Sequence, residues 1–262
     1  MAQAILPVGL SEAKPNASRQ PRRDHRQDCL CHAKGLAPIQ NCKLADLCPL
    51  AYPEGMTTPS ISTAAIILAG GDSKRMGQPK ALLDWDGRPM LEHVLDVARD
   101  GGCTKLFVIV GKDGDVIRRG ANLEGVTVLE NDDPSRGQIS SIQLGMQHLD
   151  FSTDCCVIWP VDCPMIEPGD VRALIDTYGA SRASLMRIFM PTHQGERGHP
   201  MLVDIGFRQP FIDLPAGETA RSVIEENQTQ VKEVPTDNPG VRVDVDTPEQ
   251  YETALKQWRA SS

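Results

Sequence analysis

No apolar run in this 262-residue chain approaches the ~20 residues that a membrane span requires. There is no basic excess either: 27 Lys and Arg stand against 35 Asp and Glu, a formal net charge of −8. A protein that grips a nucleic-acid backbone along its surface normally shows the opposite sign, so general nucleic-acid binding is disfavoured. Residues 1–20 lack the basic start and long apolar core of a secretory signal, which makes the cytoplasm the expected location. The chain also lacks a CxxC pair, a P-loop closed by Gly-Lys-Ser/Thr, a GxGxxG motif and any internal repeat.

What is present divides into two textures. Across residues 1–60, Pro7, Pro15, Pro21, Pro38, Pro49, Pro53 and Pro59 interrupt any long element, and no helical or strand period emerges. That stretch reads as an irregular extension, with a domain over residues 61–262. Cys29, Cys31, His32, Cys42 and Cys48 supply enough thiolate and imidazole for a zinc or iron–sulfur site. Their spacing is poor for either, so little bound metal is expected. A flexible tail, or translation beginning at Met56, would account for the same texture. Cys103, Cys155, Cys156 and Cys163 lie in or beside apolar segments and read as reduced core thiols.

From residue 62 the pattern is that of an α/β domain. A buried strand over 64–68 runs into Gly70-Gly71, where a Cβ would obstruct positive φ or the close approach of a ligand. Lys74, Arg75 and Lys80 follow, with Gly77 and Pro79 keeping the segment irregular. A strand opening into a glycine-rich, cation-bearing loop suits a polyphosphate: amides meet the oxygens and side chains neutralise charge. Next come an excursion over 82–89 turning at Asp86-Gly87, a helix over 90–98 ended by Gly101-Gly102, and a strand over 105–110. A short helix spans 113–119 and a strand 126–129. A helix begins near Ser140 or Ser141 and ends at His148, before a strand over 155–159. Beyond it the pattern predicts a helix over 168–178, strands over 184–190 and 198–203, and a helix over 217–227. An alternating strand over 241–246 and a closing helix over 248–258 complete the chain. Strands alternating with helices imply a largely parallel sheet covered on both faces.

In such folds ligands collect at the carboxyl ends of strands. Asp162 stands at one such end, and Asp244 and Asp246, two apart on the predicted strand, face the same side. Two carboxylate sources beside a phosphate loop are what a magnesium–nucleotide site requires. Taken singly, Asp162 could cap a turn and Asp244 could pair with an arginine.

These residues resemble a family. Leu68-Ala-Gly-Gly-Asp-Ser-Lys-Arg-Met-Gly-Gln-Pro-Lys80 is similar to the LAGGxSxRMGxxK or LAAGxSxRMGxxK signature of nucleotidyltransferases that act on the molybdenum cofactor. Gly137-Gln-Ile-Ser-Ser141 resembles the G-Q/M-S-S-S segment of its cytidylyltransferase branch, and Pro160-Val-Asp162-Cys-Pro164 stands where the family has L-G-D-x-P. Arg197-Gly-His-Pro200 and Asp244-Val-Asp-Thr-Pro-Glu249 resemble its R-G-H/N-P and D-I-D-T-P-E-D elements, with Gln250 replacing the final acid.

The resemblance implies a Rossmann-like, three-layer nucleotidyltransferase domain. It also implies Mg²⁺-dependent transfer from an NTP to a phosphorylated acceptor, with release of pyrophosphate. Arg75, Lys80 and Asp162 are the implied catalytic residues. Leu68, Ala69, Gly70, Gly71, Ser73, Arg75, Met76, Gly77 and Lys80 would bind nucleotide, with Asn131, Gly137, Gln138 and Ser141 near base or ribose. His199 would approach the acceptor, or else merely shape a turn. Asp162, Asp244 and Asp246 are the implied metal ligands. The implied acceptor is a molybdopterin-type phosphate and the partner a recipient molybdoenzyme. Gly71 gives the guanylyl form of the loop while the later motifs match the cytidylyl branch, so CTP is favoured over GTP. Transfer to another phosphorylated metabolite such as a sugar phosphate is the alternative activity. A non-catalytic nucleotide- or cofactor-binding chaperone module is the alternative of a different class.

Overall fold

The computed structural model describes residues 60–261 apart from positions 72 and 74. The expectations for the extension, including its cysteine ligands and a start at Met56, lie outside those residues, as does Lys74 of the loop. The described elements run β1 (Thr63–Ala69), α1 (Met90–Gly101), β2 (Lys105–Val110), α2 (Gly114–Gly120), β3 (Val126–Glu130), α3 (Gln138–Gln147) and β4 (Cys155–Pro160). There follow α4 (Pro168–Ala180), β5 (Ile188–His193), β6 (Glu196–Arg197), β7 (Met201–Asp204), α5 (Gln209–Ile212), α6 (Ala220–Glu226), β8 (Val231–Pro235) and α7 (Pro248–Ser261).

The strands form one sheet in the order β3-β2-β1-β4-β7-β5-β6, with β8 added on β5. β1 is buried at every position and has parallel partners on both sides, β2 and β4. Only β7, against β4 and β5, and the two-residue β6 pair antiparallel, so the expected mostly parallel sheet is present. Successive β1 side chains enter opposite layers. Ala65, Ile67 and Ala69 pack with α1, α2 and α4; Ala64, Ile66 and Leu68 pack with α3, α5 and α6. Each fully buried aliphatic side chain is worth roughly 1.5–3 kcal/mol, so a central strand with both faces covered anchors the domain.

Two local turns follow from the residues present. Asp86 and Gly87 both have positive φ (55° and 89°), the geometry of a two-residue hairpin turn, and Asp84 bridges Pro89 across it. A smaller cluster then joins Leu83, Trp85 and Met90 to Met165, Val245 and Ala254 of α7. The chain just before Asp246 is thereby fastened to the segment just after Lys80.

Several expected boundaries move. β5 begins at Ile188, because Ser184 closes a turn: its hydroxyl donates to Ser181 O and accepts from the Met186 amide. β7 begins at Met201, after a cis His199–Pro200 bond. α3 begins at Gln138, before the serines, because Gly137 at φ 82° occupies its N-terminal boundary. α6 is shorter than 217–227, starting at Ala220. β6, β8 and α5 carry too little apolar pattern to be foreseen, β8 being largely exposed or half-buried.

The strand expected at 241–246 does not form. Residues 239–242 make a 3-10 turn, and the chain then runs extended without a ladder. Its backbone groups pair with loops instead: the Val241 carbonyl accepts from the His199 amide (2.7 Å), and the Val245 amide donates to the Asp162 carbonyl (2.8 Å).

Candidate active site

A cleft of about 570 Å³ opens at the carboxyl ends of β1 and β4, where the phosphate loop was expected. Gly70 is needed there for close approach. A Cβ on it would lie 3.3 Å from the Gly111 amide, and one on Gly111 would lie 3.0 Å from the Gly70 carbonyl. Gly71 differs: no described atom lies within 4 Å of its Cβ position, and its φ is not positive. Neither glycine has the positive φ that was one reason to expect glycine here; the tight backbone contact belongs to Gly70, and the space beside Gly71 is open. Gly77 has the positive φ (70°) that turns the loop. Beyond it, the Ser73 hydroxyl accepts from the Lys80 amide at 2.9 Å, fixing the backbone from which Lys80 projects.

Lys80 crosses the floor of the cleft. Its ammonium stands 2.9 Å from Asp162 Oδ2 and 2.5 Å from Asp246 Oδ1. Burial by itself would lower the lysine pKa, but hydrogen bonds and charge from Asp246 and Asp162 outweigh it and hold the group above its usual 10.5. The hydrogen bond from Lys80 likewise holds the Asp246 carboxyl below the ordinary carboxylate value, against partial burial. Two further contacts place the carboxylates. Gln250 Oε1 accepts from the amides of Asp246 and Thr247 (both 2.9 Å), so the residue that departs from the family pattern still caps this turn. On the other side the Cys163 thiol, its pKa raised far by burial, donates weakly to Asp162 Oδ1 at 3.9 Å.

The opposite wall is the start of α3. Asn131 is buried, and its Nδ2 donates to the Ser140 and Ser141 hydroxyls at 2.8 and 3.0 Å. Ser140 in turn donates to Gly137 O at 2.8 Å. Asn131 therefore holds the wall in shape from behind, and Gly137, Gln138 and Ser141 face the cleft.

His199 and Asp244 lie near Asp162 but outside the cleft wall. Desolvation lowers the His199 pKa from 6.5, while Asp162 and Asp244 pull it upward, so the ring lies within reach of both carboxylates. Asp244 also interacts with Asp246, but among the described residues no three acidic, histidine or cysteine side chains converge on one point. Gly198 explains how this corner closes: a Cβ there would lie 2.2 Å from the Val241 carbonyl. Only glycine lets the 197–200 segment touch the chain leading to Asp246.

Of the expected site residues, Leu68, Ala69, Gly70, Gly71, Ser73 and Lys80 line the cleft from the loop side. Gly137, Gln138, Ser141, Asp162 and Asp246 line it from the others. Arg75, Met76, Gly77, Asn131, Asp244 and His199 are not part of that wall. Arg75 is exposed but near enough to act on Asp246, whereas Met76 packs against the Trp85 cluster. Six lining residues were not among the expected site residues: Ala81, Lys112, Pro134, Ser135, Pro160 and Val161. Lys112 directly follows Gly111 at the end of β2, and strand-end position was the signal that could have found it.

A family model described as the MobA-like NTP transferase domain matches residues 65–232, more than half of the chain. The chain belongs to this family. Among curated relatives, a molybdenum cofactor cytidylyltransferase of Escherichia coli is 26% identical over 74% of this chain and 95% of its own length. A nicotine blue oxidoreductase of Paenarthrobacter nicotinovorans is 29% identical over 71% of this chain and 92% of its own. A probable molybdenum cofactor guanylyltransferase of Bacillus cytotoxicus is 35% identical, over 40% and 51%. Among solved structures, Rv0371C of Mycobacterium tuberculosis in complex with manganese superposes with a TM-score of 0.64. It is 24% identical and covers 74% of this chain and 98% of that one, a likeness of fold. The NTP transferase resemblance carried by the glycine loop is thus borne out, and so is the three-layer α/β fold. No described helix of this MobA-like protein is long and apolar enough to cross a membrane.

Proposed function

We propose that this MobA-like protein transfers a nucleotidyl group from an NTP, CTP in preference to GTP, to the phosphate of a molybdopterin-type acceptor, with Mg²⁺ as the metal. The observation that carries the proposal is the Lys80 ammonium held between Asp162 and Asp246 beneath the glycine loop. An acceptor phosphate oxygen forms the new bond to the α-phosphorus as the bond to the α–β bridging oxygen breaks. Pyrophosphate leaves with that electron pair, so the step needs no protein nucleophile and no redox partner. Its demands are position and charge stabilisation. The open backbone at Gly71 and the amides beside it receive the phosphates, with Lys80 and Arg75 neutralising them. Gly137, Gln138 and Ser141 hold the nucleoside, and His199 faces the acceptor side of Asp162.

The donor set fits a hard cation. Oxygens of Asp162 and Asp246 already converge on one positive group, the Lys80 ammonium, which supports a cation held between them. Two carboxylates leave an octahedral ion room for water and phosphate oxygens, as Mg²⁺ prefers. When bound, Mg²⁺ supplies neutralisation of charge on the phosphates. The preference for CTP is supported by the length of the match to the cytidylyltransferase relative, against half of the guanylyltransferase. In the same reading residues 61–262 are the catalytic domain, residues 1–60 an extension, the location is the cytoplasm, and a molybdoenzyme receives the product.

Pyrophosphate release measured with each of four NTPs, against a molybdopterin-type acceptor and a panel of sugar phosphates, tests this. CTP with the pterin acceptor should give the highest kcat/KM. Turnover only with sugar phosphates would replace the acceptor, and no pyrophosphate with any pair would remove the enzymatic reading.

A further inference from the structure

We propose that Lys80 is a tethered counter-ion that closes Asp162 and Asp246 to free divalent cation and releases them when a triphosphate arrives. Metal and nucleotide then bind cooperatively. The inference rests on the reading of the cleft as an NTP site, and it concerns the state before nucleotide binds.

The geometry points this way for three reasons. First, the ammonium lies between the two carboxylates, at 2.9 and 2.5 Å, so a divalent ion that bridges them must displace it or share their oxygens with a like charge. Second, the frame around the pair is fixed. Ser73 holds the Lys80 amide at 2.9 Å, and the Asp162 carbonyl holds the Val245 amide at 2.8 Å, one residue before Asp246. These contacts hold the backbone on either side of the pair, so the two carboxylates and the ammonium stay within reach of one another. Third, the lysine side chain lies in the cleft wall with Gly70, Gly71 and Ser73. Phosphate oxygens there offer the ammonium a competing anion, reached by rotation within its four-carbon stem.

Each ligand therefore removes an obstacle to the other. Phosphates draw the ammonium off the carboxylates, and the metal keeps it from returning. By linkage the effect is reciprocal: the factor by which nucleotide tightens metal equals the factor by which metal tightens nucleotide, typically about 5–150-fold for such couplings.

The test is Mn²⁺ binding to the full chain, followed by electron paramagnetic resonance and calorimetry, with and without a non-hydrolysable CTP analogue. Mn²⁺ is chosen because it prefers oxygen ligands over the thiolates of the extension. Wild-type protein should bind Mn²⁺ weakly alone and about 5–150-fold more tightly with the analogue. Lys80→Met should tighten Mn²⁺ binding in the nucleotide-free protein, weaken the analogue, and reduce their coupling towards unity. A general structural defect would not produce a gain in metal affinity. Mn²⁺ affinity that is unchanged or weaker in a folded Lys80→Met protein overturns the proposal. Lys80→Arg keeps the charge and should leave nucleotide-free Mn²⁺ binding no tighter than wild type, so tightening there also overturns it, even if Lys80→Met fails to fold. Pyrophosphate release separates the two readings. Turnover with Mn²⁺ affinity unmoved by Lys80→Met sinks the counter-ion alone. Tightened Mn²⁺ binding without any turnover sinks the transfer reaction and supports the counter-ion.

Discussion

The two sides of the cleft are built by different means. The loop side is one continuous stretch, Leu68 to Lys80, shaped by glycine and by a single serine hydroxyl. The carboxylate side takes Asp162 from the end of β4 and Asp246 from the turn before α7, residues that share no element. One side offers amides and cations, the other anions, and Lys80 is where they meet. A cation-bearing loop works as a local unit, whereas the anion side exists only while two distant segments stay in contact. Changes on the loop side should therefore act mainly on ligand affinity, and changes on the other side on stability and chemistry together.

The largest expected effect breaks the anion side directly. Asp162→Ala should lower kcat/KM for pyrophosphate release by about 10²–10³-fold, the scale of losing one preorganised charge-stabilising group. A melting temperature close to wild type would show that the loss is chemical; activity within a few-fold of wild type would sink Asp162 as a catalytic residue. Next comes the contact that assembles this side. Gly198→Ala puts a Cβ 2.2 Å from the Val241 carbonyl, so unfolding in urea should show a loss of about 1–3 kcal/mol, together with weaker Mn²⁺ binding.

Asn131→Ala sharpens the comparison from the α3 wall. It leaves two serine hydroxyls without their donor and should cost about 1–3 kcal/mol. Because Asn131 acts through Ser141 and Gly137, KM for the nucleotide should rise more than kcat falls. A pure kcat defect would place Asn131 on the reacting groups instead.

The smallest effect lies away from the site. His93 is packed among Trp85 and Trp258, and it donates from Nε2 to Pro164 O at 2.9 Å. Burial lowers its pKa below 6.5, the Arg88 charge adds to this, and the Pro164 carbonyl opposes it. The unfolded chain thus binds a proton more readily than the folded one. This stability is present above pH 6.5 and is lost as pH falls through that value towards the folded pKa. Urea midpoints should fall across that window in wild type and less in His93→Gln.

How far sequence reasoning reached follows the same division. The strand–glycine–cation run was legible because its meaning is local: an apolar strand must be buried, and glycines permit close backbone approach. The Asp86-Gly87 turn, the Gly102 end of α1 and the α4 start at Pro168 were legible for the same reason. The 241–246 segment was misread because its alternation of valine with polar residues is the strand signal. Its burial comes instead from the Trp85 cluster and from loop carbonyls. Nothing in the spacing of Asn131 shows that two serines, nine and ten positions later, fold back onto its amide.

By itself, then, the amino-acid order determined the layered α/β architecture, the phosphate-suited loop and the family, since each depends on neighbours within a dozen residues. Tertiary structure alone decided which carboxylates meet Lys80. Asp246 reaches the ammonium, while Asp244 lies beside Asp246 and near His199. The physical reason is that the turn carrying them, closed locally by Gln250, is placed by Gly198 and the Asp162 carbonyl, long-range contacts that leave no period in the sequence.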